Sequence, residues 1–157
     1  MSVETLTTIS PTTNKPILTR HGLSDADLEA LPVTATEAFD SYKITPLSER
    51  QLIVKRALQK ISERQDELAK ELTEQMGRPI AYTAKEITTA VARAEYLLKI
   101  SDDALSDTPG EPEEGFRRYI KKVPLGPVLV LFAWNVSGPD RPLAIMLADI
   151  LGCSIHT

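Results

Sequence analysis

The sequence predicts an α/β fold in which a block of amphipathic helices precedes the first strand-helix unit of a parallel sheet, with that sheet incomplete within residues 1–157. Three observations carry this expectation. The run VLVLFAWN, residues 128–135, is continuously apolar up to its last residue, the pattern of a strand buried on both faces. Ahead of it, residues 46–76 and 81–100 place apolar side chains at helical spacing. Behind it come the loop AWNVSGPDR, the apolar helix PLAIMLADILG from Pro142 to Gly152, and then CSIHT, where a second β-run would have to begin. A buried parallel strand needs hydrogen-bond partners on both edges, because each unpaired buried amide costs about 1–3 kcal/mol. No other run in the sequence reads as a parallel core strand.

At the amino end, ETLTTISPTTNKPILTR alternates apolar and polar residues around the turn former Pro11-Thr12-Thr13-Asn14, which predicts a short hairpin serving as an arm or edge over 1–22. Ser24 with Asp27 three residues on makes a helix start. Pro32 is expected to interrupt that helix, and Thr34 with Glu37 offers a second capping box before AFDSYK. Two short helices or one broken helix fit this stretch equally well.

Residues 46–76 carry Val54, Leu58, Ile61, Leu68, Leu72 and Met76 on one face, with Thr45 available as cap and Pro46 at the first helical position. Gly77 and Pro79 stop the helix, and Ser62 with Gln65 suggests a break near Ser62. The helix over 81–100 has Ala84, Ile87, Val91, Ala94 and Leu98 along its stripe, with Glu95 and Lys99 at the favourable i, i+4 spacing. SDDALSDTPGEPEEG, residues 101–115, is acidic and broken by prolines, so it is expected as a surface loop. FRRYIKKVP, residues 116–124, alternates and predicts an exposed strand, and residues 125–157 hold the strand-helix unit.

With 42% apolar and 25% charged residues in 157, the composition is that of one globular core. A formal charge of -4 and a pI near 5.3 give no reason to expect nucleic acid as a partner. No basic segment followed by an apolar one opens the chain, and its apolar runs fall short of the ~20 residues a membrane span needs. No membrane association is expected, and the cytoplasm is the default location. A single cysteine, Cys153, and two distant histidines, His21 and His156, give no metal-ligand spacing. Arg117, Arg118, Lys121 and Lys122 could bind phosphate, but a solvated strand edge is the simpler reading, and no G-x-G-x-x-G is present.

RYIKKVPLGPVLVLFAWN resembles the segment that opens the cofactor domain of the NAD(P)-dependent aldehyde dehydrogenase superfamily: an exposed strand, P-x-G-x-x, an apolar strand and a Trp-Asn pair. PLSERQLIVKRALQKISERQDELAKELTEQMGRPI is similar to the helical region before it, and TISPTTNKPILTR to the N-terminal strand pair. The resemblance covers nearly all of this chain and about the first third of a full family member. It implies that residues 23–100 are the helical part of a Rossmann-type cofactor domain, that 116–124 is an oligomerisation strand and that 125–157 is the first βα unit.

The family's chemistry sets a cysteine thiolate on an aldehyde, holds the resulting oxyanion with an asparagine amide, passes hydride to NAD or NADP and releases a carboxylic acid through a glutamate-activated water. By resemblance, Asn135 is the oxyanion donor, a neutral amide aimed at developing charge. Phe132, Ala133, Trp134 and Asn135 line the cofactor. Nothing in the sequence matches the nucleophile or the general base, since Cys153 lies within the first βα unit and reads as a packed helix-end residue. The 157 residues alone are therefore expected to be inactive. VSGPDRPL departs from the apolar segment usual in the family after Asn135. Two other readings stand beside the dehydrogenase: a non-catalytic protein associating with a full-length relative, or with its own copies, through the arm and the 116–124 strand, and a remnant with no settled fold.

Overall fold

A computed structural model describes residues 5–130 and the backbone of residues 155–156. The alternating Thr/Leu/Ile opening forms β1 (Thr5–Ile9) and β2 (Pro16–His21), an antiparallel hairpin. Its turn is fixed by local chemistry. The Ser10 amide donates to the Lys15 carbonyl at 2.9 Å, the buried Ser10 hydroxyl accepts from the Thr13 amide, and Asn14 takes the left-handed φ of 55° that its side chain tolerates.

The capping box at Ser24 forms as expected, with the Asp27 amide and the Ser24 hydroxyl, and the Ser24 amide and the Asp27 carboxylate, each 3.2 Å apart. It opens α1 (Asp25–Tyr42), which runs through Pro32 as one helix instead of breaking there. A proline removes one backbone donor, and the remaining turns hold. Thr34 caps nothing: its hydroxyl donates to the Ala30 carbonyl at 3.2 Å, and that of Thr36 to the Pro32 carbonyl at 2.7 Å. Ala35, with Leu31 and Phe39 half-buried, forms the inner stripe.

The 46–76 pattern folds as α2 (Leu47–Glu63) and α3 (Gln65–Met76). Pro46, not Thr45, occupies the cap position, with no side-chain cap bond. The break falls at Arg64, not Ser62, which stays inside α2. The Arg64 amide donates to both the Lys60 and Ile61 carbonyls at 3.2 Å, a tightened last turn, while its guanidinium forks onto Glu67 at 2.7 and 2.8 Å. Gly77 closes α3 in the left-handed conformation, φ 70°.

α4 (Ile80–Leu105) continues five residues into the stretch expected as loop. Tertiary contacts explain the extension. Gln51 of α2 donates to the Ser101 hydroxyl at 2.8 Å and to Asp102 at 3.1 Å, and Leu105 packs on the core. That core joins Val54 and Leu58 of α2 to Ala94 and Leu98 of α4, with Leu47, Ala57, Ile61, Val91 and Leu97 around them. A second contact sets Ala69 and Leu72 of α3 beside Thr83, Ile87 and Ala90 of α4. Thr83 and Ala90 lie at the centre of the α4 stripe, and Ala84 and Val91 at its flanks.

Beyond α4, the two-residue strands β3 (Thr108–Pro109) and β4 (Tyr119–Ile120) pair antiparallel. The exposed strand expected over 116–124 is thus reduced to the two-residue strand Tyr119–Ile120, in a segment exposed from 116 to 123. β5 (Val128–Leu129) then pairs in parallel with β6 (Ile155–His156), Val128 opposite Ile155 and Leu129 opposite His156. CSIHT does supply a neighbouring strand. The burial expected on both faces is not reached, however: Leu129 is 67% exposed, because among the described residues β5 has only β6 beside it. Helix 142–152 lies outside the described residues. Among the described residues no helix is long and apolar enough to cross a membrane.

Candidate cofactor site

The site is built from β5 outward. Pro124 and Gly126 end the extended segment, Gly126 is buried at φ 123°, and Val128 and Leu129 begin the parallel ladder. Residues 130–154 connect β5 to β6, longer than the roughly dozen residues that a parallel crossover needs. Two parallel strands that leave a sheet in the same direction share a carboxyl edge, which is where α/β folds accept ligands. In sequence, Phe132, Ala133, Trp134 and Asn135 follow directly on that edge, and all four lie outside the described residues, as does Cys153.

The surroundings of the strand are described. Three of the four cations in the basic cluster before β5 engage groups of this chain. Arg118 pairs with Glu113, and its guanidinium lies 6.0 Å from the Phe116 ring centre. Arg117 lies 5.2 Å from the Tyr119 ring centre, and Lys122 donates to the Ala104 carbonyl at 2.8 Å in the last turn of α4. Residues 116–123 are all exposed. These contacts fit a solvated edge that staples the segment to α4 better than a phosphate cradle.

Displaced titrations among the described residues also sit on helix surfaces. The Ser24 hydroxyl, then its amide, holds Asp27 below the usual carboxylate range. Lys60, helped by Gln59, lowers Glu63, and Arg64 lowers Glu67 while its own pKa is raised by that carboxylate. Each is a cap or an i, i+3 or i, i+4 contact. Arg78, in the Gly-Arg-Pro stretch, pairs with a half-buried Glu86 and ties the entry of α4 to its second turn.

Sequence reasoning missed one concavity, an open groove of about 560 Å³ between α2 and α4, lined by Gln51, Lys55, Leu58, Glu95, Lys99 and Asp102 among others. The i, i+4 pair Glu95/Lys99 marked one wall of it, but pairing α2 with α4 is a tertiary fact that local spacing does not encode. It belongs to the helical part and not to the β5 edge.

The profile described as "Aldehyde dehydrogenase family" matches residues 1–155. N-succinylglutamate 5-semialdehyde dehydrogenase of Chromobacterium violaceum is 28% identical over 138 residues, covering 86% of this chain and 28% of that protein. The NADP(+) succinate-semialdehyde dehydrogenase of Mycobacterium avium is 27% identical over 133 residues, 83% of this chain and 28% of its own length. The crystal structure of PnpE in complex with nicotinamide adenine dinucleotide superposes with a TM-score of 0.87 at 22% identity, over 97% of this chain and 31% of that one. That likeness establishes the fold, an N-terminal helical region leading into the opening of a parallel sheet. The chain spans less than a third of the length of each of these proteins.

Proposed function

The chain belongs to the aldehyde dehydrogenase family, and from that membership we propose that it provides the opening part of the cofactor domain of an oxidoreductase that converts an aldehyde to a carboxylic acid with NAD or NADP. The match over residues 1–155 carries the reading. The parallel pairing of β5 and β6 supports it, since a dinucleotide fits the carboxyl edge of such a pair. The names of the relatives include both an NADP(+) enzyme and an NAD complex, so either dinucleotide suits the proposal.

In this reading Phe132, Ala133, Trp134 and Asn135 line the cofactor, and Asn135 also donates its side-chain amide to the oxygen that becomes negative when a thiolate adds to the aldehyde carbon. A donor fixed in advance stabilises that charge more than it stabilises the neutral carbonyl. The cofactor, when bound, supplies the hydride acceptor. By resemblance neither Cys153 nor any other residue here matches the nucleophile or the general base, so in this reading residues 1–157 by themselves produce no NAD(P)H. The division into an arm (1–22), helical part (23–100), acidic loop (101–115), contact strand (116–124) and first βα unit (125–157) forms part of the same proposal, as does a cytoplasmic location.

Exposed apolar side chains favour adding an assembly role. Leu6 and Ile9 on the hairpin and Phe116 and Ile120 on the extended segment all face solvent in the single chain. We assign these two stretches to contact with a second copy or a longer relative.

The test uses the protein as cells make it. Aldehyde-dependent NAD(P)H formation is measured across short-chain aldehydes and semialdehydes, with the Asn135→Ala variant alongside. The expected result is activity in the parent and a drop in kcat of about 100- to 1,000-fold in the variant. An unchanged kcat would remove Asn135 from the oxyanion role, and a parent inactive on every aldehyde would overturn the proposal.

A further inference from the structure

We draw no further inference here: the strongest candidate, the open groove between α2 and α4 lined by Gln51, Lys55, Glu95, Lys99 and Asp102, presents cations and carboxylates on largely exposed side chains, and nothing in the structure shows what covers it.

Discussion

Replacing Gly77 with alanine tests how the N-terminal hairpin is held to the helices. Two separate penalties follow from the structure. Gly77 has φ 70°, and placing an L-residue in the left-handed region costs about 1–2 kcal/mol. A Cβ built there would also stand 2.9 Å from Cγ of Pro11 at the hairpin turn, closer than real Cβ contacts allow, and a forced close contact of this kind adds about 1–3 kcal/mol. Gly115 separates the two effects. It has φ 81° and nothing within 4 Å of its added Cβ, so Gly115→Ala carries the backbone penalty alone. The measurement is the denaturant midpoint and slope for both variants, for Pro11→Ala and for the Gly77→Ala/Pro11→Ala pair. Gly77→Ala should lose clearly more stability than Gly115→Ala, and removing the Pro11 ring should recover most of the excess, because Cβ of Pro11 is an ordinary 3.5 Å away. Equal losses at the two glycines, or no coupling to Pro11, would refute docking of the hairpin turn against the end of α3.

Leu58→Ala should cost about 2–5 kcal/mol, whereas Leu52→Ala on the same helix should stay within about 0.5–1 kcal/mol. Leu58 is 5% exposed in the α2–α4 core and Leu52 is 46% exposed, and denaturant unfolding of both checks the assigned face. Ser24→Ala should destabilise the start of α1, and its deficit should shrink on acidification. Asp27 has a lowered pKa in the folded chain, so its contribution is present above the ordinary carboxylate range and is lost as pH falls through the depressed value. The gap between parent and variant, measured from neutral to strongly acidic pH, should narrow toward the acid end to the share of the Asp27 amide–Ser24 hydroxyl bond, which does not titrate. Ile120→Glu, at an exposed position of β4, should leave monomer stability within about 0.5 kcal/mol while reducing the assembled fraction in sedimentation, if the contact assigned to 116–124 is correct.

The parts legible in the sequence are those that short-range chemistry decides. Pro11 to Asn14 make a turn wherever they stand, Ser24 and Asp27 are three residues apart and cap each other, and Gly77 stops a helix by its own conformational freedom. The misread parts depend on a partner distant in sequence. Ser101-Asp102-Asp103 reads as loop until Gln51, fifty positions earlier, donates to it and α4 extends over it. Thr83 counts as polar in any pattern, yet it is fully buried, its hydroxyl donating to the Ile80 carbonyl and lying 3.4 Å from that of Thr73. Pro32 signals a break because a proline weakens an isolated helix, but α1 absorbs one missing donor. The proposed cofactor site is a different case. Trp134 and Asn135 are ordinary residues by composition and spacing, and only the order of motifs around them, from TISPTTNKPILTR to VLVLFAWN, singled them out.

Among the described residues the α2–α4 core takes its side chains from helices, and the chain leaving α4 at Leu105 reaches β5 with few buried side chains along the way. Two ties shorten that path: β3 against β4, with the Gly110 amide donating to the Arg118 carbonyl at 3.0 Å, and Lys122 on the carboxyl end of α4. The second suits a cation, because the unpaired carbonyls of a helix end carry partial negative charge. On the other side α1 approaches β6. The cofactor site proposed at the carboxyl edge of β5 and β6 would take its position from these ties, and in that reading substitutions that loosen α4 or α1 should weaken dinucleotide binding.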